Sequence, residues 1–201
     1  MNEQALVIGT HNRKKGAELA DLLSPYGFSI VTLDDLPNSI EVVEDGDSFE
    51  ANARLKASQQ AAHLGRWVLA DDSGLAVDAL GGKPGVYSAR FAGPNATDEA
   101  NNICLLEKLG DTPLEKRTAH YVCHVALADP TGEIRAESHD ICRGRIRFEP
   151  AGANGFGYDP LFEVVEYHRT FGELGPHVKK FISHRSRALR AIVPDLLALS
   201  R

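Results

Sequence analysis

Two adjacent carboxylates, Asp71 and Asp72, follow directly on the apolar run Trp67-Val68-Leu69-Ala70 and lead into Ser73-Gly74-Leu75. A buried strand carries an acid cheaply only at its end, and neighbouring acids repel unless a cation or a shared proton compensates them. The pattern therefore predicts a short buried strand that stops at a glycine turn and delivers its acids to a positive partner. A divalent metal suits two such carboxylates. The alternative is a solvated turn in which Asp serves as the hydrogen-bonding residue.

A chain of 201 residues can bury one substantial core, so a single domain is expected over residues 1–201, pinched into two lobes by a cleft. The hydrophobic fraction of 43% excludes disorder, and a net charge of −6 argues against a general nucleic-acid surface, which needs a basic stripe. Cys104, Cys123 and Cys142 are odd in number and lack CxxC spacing, so they read as reduced core or strand residues rather than a disulfide or zinc framework. The apolar run at residues 5–8 is too short for a signal peptide and nothing approaches a membrane span; a cytoplasmic protein with no membrane partner is expected.

Residues 5–8 read as a strand buried on both faces. A loop, Gly9-Thr10-His11-Asn12-Arg13-Lys14-Lys15-Gly16, and a helix from about Lys14 follow, then a second strand at 29–33. Backbone N–H groups at a helix start favour anions and Lys15 adds a mobile charge, although GxxxxGK[ST] is absent. The acidic cluster Glu41, Glu44, Asp45 and Asp47 leads into a helix over 48–64 with Ser48 as N-cap. Its polar stripe, Asn52, Lys56, Gln59 and His63, is too narrow for a solvated face, so Lys56 is expected to point into a cleft. Beyond the acid turn a further strand is expected at 75–77, extending toward Leu80. The stretch 86–91 runs toward a helix capped by Thr97 and stopped by Gly110. Two long strand-like runs, 118–127 and 134–148, are joined by the hairpin turn Asp129-Pro130-Thr131-Gly132. His120 and His124, on one face of the first run, are given no role.

Glycines surround Phe156 and Tyr158 in the loop Gly155-Phe156-Gly157-Tyr158-Asp159-Pro160, ahead of a strand at 161–164, and aromatic faces among glycines suit a flat ligand. The other possibility is a tight loop with its aromatics tucked into the core. Ser183 reads as the cap of a last helix with the stripe Leu189, Ile192, Val193, Leu196 and Leu197, kinked or restarted at Pro194. His184 and Arg185 then sit in its first turn, where the helix dipole disfavours cations, which suggests service to an acceptor ligand.

Together Thr10-x-Asn12-x-x-Lys15, Glu44-x-Gly46-x-x-Phe49-x-x-Asn52-Ala53-x-x-Lys56-Ala57, Ala70-Asp71-Asp72-Ser73-Gly74-Leu75, Gly85-x-Tyr87-Ser88-Ala89-Arg90, Gly155-Phe156-Gly157-Tyr158-Asp159-Pro160 and Ile182-Ser183-His184-Arg185 resemble the inosine triphosphate pyrophosphatase family. The blocks fall in order from residue 10 to residue 185. One departure is Leu174-Gly175-Pro176-His177-Val178, where the family usually carries an acidic-polar start to a helix. It leaves Lys179 and Lys180 both open as the ligand-facing lysine, with the spacing from Ser183 favouring Lys179.

The resemblance implies an α/β fold with a long mixed central sheet flanked by helices, two lobes around a substrate cleft, and a homodimer. It implies hydrolysis of deaminated purine nucleoside triphosphates (dITP, ITP, XTP, dXTP) between the α and β phosphates, releasing a monophosphate and pyrophosphate. Glu44 and Asp72 would hold Mg²⁺, with Asp72 also the proton acceptor for the attacking water. Lys15 and Lys56 would hold the pyrophosphate, with Thr10, Asn12 and Ser73 adding neutral hydrogen bonds. Phe156, Gly157, Tyr158, Asp159, Lys179, His184 and Arg185 would form the base pocket, in which the donors of Lys179 and Arg185 suit a 6-oxo acceptor and not the 6-amino group of adenine. Two rivals are a related pyrophosphatase for modified pyrimidine or methylated nucleotides, of the septum-formation type, and a non-catalytic nucleotide- or RNA-binding module. The acid pair argues against the second, because carboxylates repel phosphates unless a metal intervenes.

Overall fold

In the computed structural model, which describes residues 5–199, the apolar runs form a mixed seven-stranded sheet in the order β2-β1-β3-β4-β5-β6-β7. The strands are β1 (Leu6–Ile8), β2 (Ile30–Thr32), β3 (Val68–Val77), β4 (Thr118–Ala128), β5 (Ile134–Ile146), β6 (Phe162–Val164) and β7 (Arg169–Thr170). The helices are α1 (Arg13–Leu23), α2 (Phe49–Leu64), α3 (Asp98–Leu109), α4 (Pro176–Ile182) and α5 (His184–Leu199). β1 is parallel to β2 and β3, whereas β5, β6 and β7 pair antiparallel. This is the α/β fold with a long mixed sheet that the motifs imply. No described helix is long and apolar enough to cross a membrane.

The chain forms two compact units, and β3, β4 and β5 contribute residues to both. In the first unit (1–72, 123–140 and 185–201) alternation along the strands sorts side chains to two faces. Leu6, Ile8, Leu69, Cys123, Val125 and Leu127 pack with Leu19 and Leu23 of α1 and with Ala188, Leu189, Ile192 and Leu196 of α5. Val7, Val68, Ala70, Ala126 and Ala128 pack instead with Ala53, Ala57 and Ala61 of α2. Three alanines on successive turns let α2 lie close to the sheet. Within the first unit, odd-numbered β3 positions therefore face α1 and α5, and even-numbered positions face α2.

In the second unit (73–122 and 141–184) one core joins Leu75 and Val77 of β3, Tyr121 of β4, Cys142 and Ile146 of β5, Phe162 and Val164 of β6, and Leu105 and Leu109 of α3. Buried Arg117 is satisfied within this unit: its guanidinium donates to the carbonyls of Thr112 (2.8 Å), Gly110 (2.5 Å) and Arg147 (3.4 Å), and its face covers the Phe148 ring at 4.1 Å. All three cysteines are free thiols.

Several expectations need correction. The acids do not end a strand: β3 runs through Asp71-Asp72-Ser73-Gly74 to Val77, and Leu80 lies in a 3₁₀ turn beyond it. Gly74 accordingly extends rather than turns, because ladder bonding and opposite cations on both faces offset what isolated acids would cost. Residues 85–90 form a 3₁₀ helix rather than leading directly into α3. α4 stands where no helix was expected, started by Pro176 at its first position. α5 runs unbroken through Pro194, and Leu197 at the end of its predicted stripe is exposed.

β5 and β6 meet at Gly144, where an added Cβ would lie 2.3 Å from the Glu163 carbonyl oxygen and 2.6 Å from the Phe162 ring. Backbone cannot yield as a side-chain tip does. Gly144→Ala is therefore expected to destabilise the protein by about 3 kcal/mol through overpacking, read as a lowered urea midpoint.

Candidate functional site

Asp71 and Asp72 are neighbours in an extended strand, so they leave β3 on opposite faces, and each meets its own cations. Asp72 faces α2. The Lys56 ammonium donates to its Oδ1 at 2.8 Å and to Glu44 Oε2 at 3.1 Å, so one buried cation joins the two acids. Asn52, one turn earlier on α2, has its Nδ2 3.4 Å from Asp72 Oδ2 and accepts the Gly46 N–H at 2.9 Å. Burial pushes the Asp72 carboxyl above the usual carboxylate range, against the pull of Lys56 and Lys15. Burial alone would lower Lys56, but Asp72, Asp71 and Glu44 hold its ammonium above its ordinary value, so it stays charged.

Asp71 faces α1 and α5. Arg185 Nε donates to its Oδ2 at 3.3 Å, Lys15 Nζ lies 3.7 Å away, and the Cys123 thiol lies against the same oxygen at 3.9 Å. Arg185 also pairs with Glu18 of α1. The Arg185 side chain is only 3% exposed, so its guanidinium serves these two acids. Asn12 caps α1, its Oδ1 accepting the N–H groups of Lys14 and Lys15 at 3.1 and 3.2 Å, and Thr10 Oγ1 accepts the Asn12 N–H.

The second unit carries its own cluster around buried Asp159. Its Oδ2 accepts the Lys179 ammonium at 2.7 Å and the Phe156 N–H at 2.8 Å, and its Oδ1 accepts the Tyr121 hydroxyl at 3.3 Å. Lys179 Nζ sits 4.6 Å from the centre of the Phe156 ring, a cation–π distance. The Tyr121 ring stacks on His184 with centroids 4.6 Å apart and planes 7° from parallel. Tyr158 is tucked into the core with its hydroxyl donating to the Ser88 carbonyl at 2.8 Å, and burial raises its pKa. The Gly157 carbonyl accepts Asn102 Nδ2 at 3.0 Å. Of the adjacent lysines, Lys179 is buried against Asp159 and Lys180 is only partly buried.

The structure thus gathers Glu44, Lys56 and Asp72 on α2's side of the first unit, Lys15 and Arg185 around Asp71 on the other, and Phe156, Asp159, Lys179 and His184 in the second unit. Ser73 follows Asp72 in β3, half-buried. Sequence reasoning missed Glu18 and Tyr121 as partners of site residues. Glu18 is three residues along α1 from Lys15, a helical neighbour spacing that offered a signal; nothing local marks Tyr121. His124 bonds Glu137 at 3.0 Å, and Glu137 also takes both prongs of Arg54.

A family model described as the Ham1 family matches residues 6–195. The dITP/XTP pyrophosphatase of Rhodopirellula baltica is 56% identical over 96% of this chain and 93% of that protein, and that of an Exiguobacterium strain is 52% identical over 96% of each. Among solved structures, the Staphylococcus aureus Ham1 protein superposes with a TM-score of 0.84 at 37% identity, over 98% of this chain and 100% of that one. A HAM1 protein from Coxiella burnetii gives 0.86 at 37% identity, over 96% and 98%.

Removing one member of a buried ion pair strands the other. Lys56→Met is expected to cost about 3 kcal/mol in a chelator-containing buffer, where no divalent cation replaces the ammonium. Adding Asp72→Asn to that variant removes the stranded charge and should recover most of the loss, read from the urea midpoints of the wild type, both single variants and the double variant.

Proposed function

The chain belongs to the Ham1 family, and from that premise we propose that it hydrolyses deaminated purine nucleoside triphosphates, of the dITP and XTP kind, to the nucleoside monophosphate and pyrophosphate. It is a nucleoside triphosphate pyrophosphatase. The observation that carries the reading is near-full-length identity of about one residue in two to proteins named for that reaction, in a chain whose Asp72 and Glu44 converge on one buried lysine. The inosine triphosphate pyrophosphatase resemblance drawn from the motifs agrees with it.

The donor set suits Mg²⁺. This hard ion is bound through one or two carboxylates completed by phosphate oxygens and water, and Glu44 and Asp72 offer carboxylate oxygens that already meet at a cationic centre. Among the described residues no group of three or more His, Cys, Asp and Glu forms an all-protein metal cage, which a substrate-completed site does not need. When bound, Mg²⁺ would neutralise phosphate charge and polarise the phosphoryl centre.

The chain's own residues do the rest. Asp72, with its carboxyl raised by burial, accepts a proton from the attacking water more readily than an exposed acid. Lys56 and Lys15 supply positive charge to the phosphates, and Thr10, Asn12 and Ser73 neutral hydrogen bonds. Phe156 offers the stacking face for the base, Lys179 the donor toward a 6-oxo group, and Asp159 holds both in register; Gly157, Tyr158 and His184 complete that pocket. Because Arg185 is engaged by Asp71 and Glu18, its service to the ligand is to hold Asp71 and, through it, Lys15. The family resemblance further carries a cytoplasmic homodimer without a nucleic-acid partner, and the net charge of −6 supports the last point.

A panel of inosine, xanthosine, guanosine and adenosine triphosphates, assayed for released pyrophosphate with and without Mg²⁺, tests the reading. Preferential, Mg²⁺-dependent turnover of the first two is expected, and equal turnover of adenosine triphosphate would overturn it. Asp72→Asn should lower kcat by about 10²- to 10⁴-fold while leaving the fold intact by circular dichroism. Lys179→Met should cut the inosine-to-adenosine triphosphate ratio of kcat/KM by roughly tenfold or more, the worth of a charged hydrogen bond.

A further inference from the structure

The polar stripe of α2 continues past the residues given a role above, through buried Gln60 rather than the expected Gln59, which is exposed, to His63 at the surface. Residues 39–46 have no helix or strand of their own. They lie along α2 and are held by its side chains in reverse order. His63 Nε2 meets the Asn38 carbonyl at 2.8 Å, at the segment's start. Gln60 donates to the Ile40 carbonyl and accepts the Ile40 N–H at 3.3 Å. Lys56 reaches Glu44, and Asn52 takes the Gly46 N–H. Of these, Lys56 and Asn52 also touch Asp72, one at each carboxylate oxygen.

The two are not equivalent. Lys56 supplies charge, which a competing divalent cation can replace. Asn52 is a neutral amide with an acceptor on one side and a donor on the other, so it joins the backbone two residues after Glu44 to Asp72 with no charge of its own. The fit at Gly46 is close: an added Cβ there would fall 2.6 Å from Asn52 Oδ1 and 2.8 Å from Ala51 Cβ. Asn52 is itself buried, so nothing from solvent substitutes for it.

We propose that Asn52 is a positioning residue that sets the spacing of Glu44 and Asp72 and thereby the affinity of this acid pair for a divalent cation. The inference rests on the metal reading above. Removal of an outer partner of a metal ligand characteristically costs about 10- to 100-fold in affinity, and that is the size expected here.

The test measures Mn²⁺ binding to the purified full chain by electron paramagnetic resonance of the free ion, alongside the Mg²⁺ concentration for half-maximal activity. Asn52→Leu, which keeps the branched shape without polar atoms, should weaken Mn²⁺ binding at least about tenfold and raise the Mg²⁺ midpoint in parallel, with most of kcat regained at saturating Mg²⁺. Gln60→Leu loosens the same segment at its far end and should lower the melting temperature while leaving Mn²⁺ affinity near wild type. Unchanged Mn²⁺ affinity in Asn52→Leu, or equal weakening in Gln60→Leu, would overturn the proposal. If Asn52→Leu does not fold, Asn52→Ser is read against the same outcomes. Asp72→Asn separates the two readings: undiminished Mn²⁺ binding in that variant brings down the metal assignment itself, whereas its loss beside an unaffected Asn52→Leu removes only the role of Asn52.

Discussion

Two charges are buried side by side in the middle of β3, and the two-residue period of the strand is what makes that tolerable. Side chains that alternate across a sheet meet different layers, so Asp71 and Asp72 each take their nearest cation from a different layer of the first unit. α2 supplies Lys56 to one face, while α1 and α5 supply Lys15 and Arg185 to the other. Each of these helices is pinned to the register that brings its cation to its acid, and the alanine face of α2 lets Lys56 come within hydrogen-bond distance.

That division gives the two acids different surroundings. Asp71 is fully buried against Arg185, which Glu18 holds from its other side, an arrangement that fixes a charge in place. Asp72 is tied to a lysine that it shares with Glu44 on an irregular segment, so its cation is held by two acids at once. Asp159 repeats the logic in the second unit, where one carboxylate orients a lysine, a backbone N–H and a tyrosine hydroxyl together. In both units a buried acid fixes donors that would otherwise have many conformations.

Much of this was legible from local pattern. α1, α2, α3 and the β4–β5 hairpin follow from periodicity and, for α2 and α3, from the caps Ser48 and Thr97, because those signals are completed within a few residues. The continuity of β3 was not, since Asp-Asp-Ser-Gly reads as a turn until its acids are known to be neutralised from both faces. α4 leaves no such trace, because its seven residues, starting at Pro176 after the cap Gly175, span too short a period to register. Arg185 reads from its place in a helix's first turn as facing a ligand; its engagement by Asp71, 114 residues away, is visible only in the packed first unit.

The sequence by itself determined where helices and strands form and that Asp71 and Asp72 need a positive partner, because these follow from periodicity and from the cost of burying adjacent acids, and its motifs carry the resemblance that implies an α/β fold with Glu44, Lys56 and Asp72 at one site. The tertiary structure decided which cation meets which acid, that Asn52 bridges the acidic segment to Asp72, and that Tyr121 stacks on His184 and bonds Asp159. Those pairings join residues 6 to 167 positions apart, and distance along a chain carries no information about contact until helices and strands have packed.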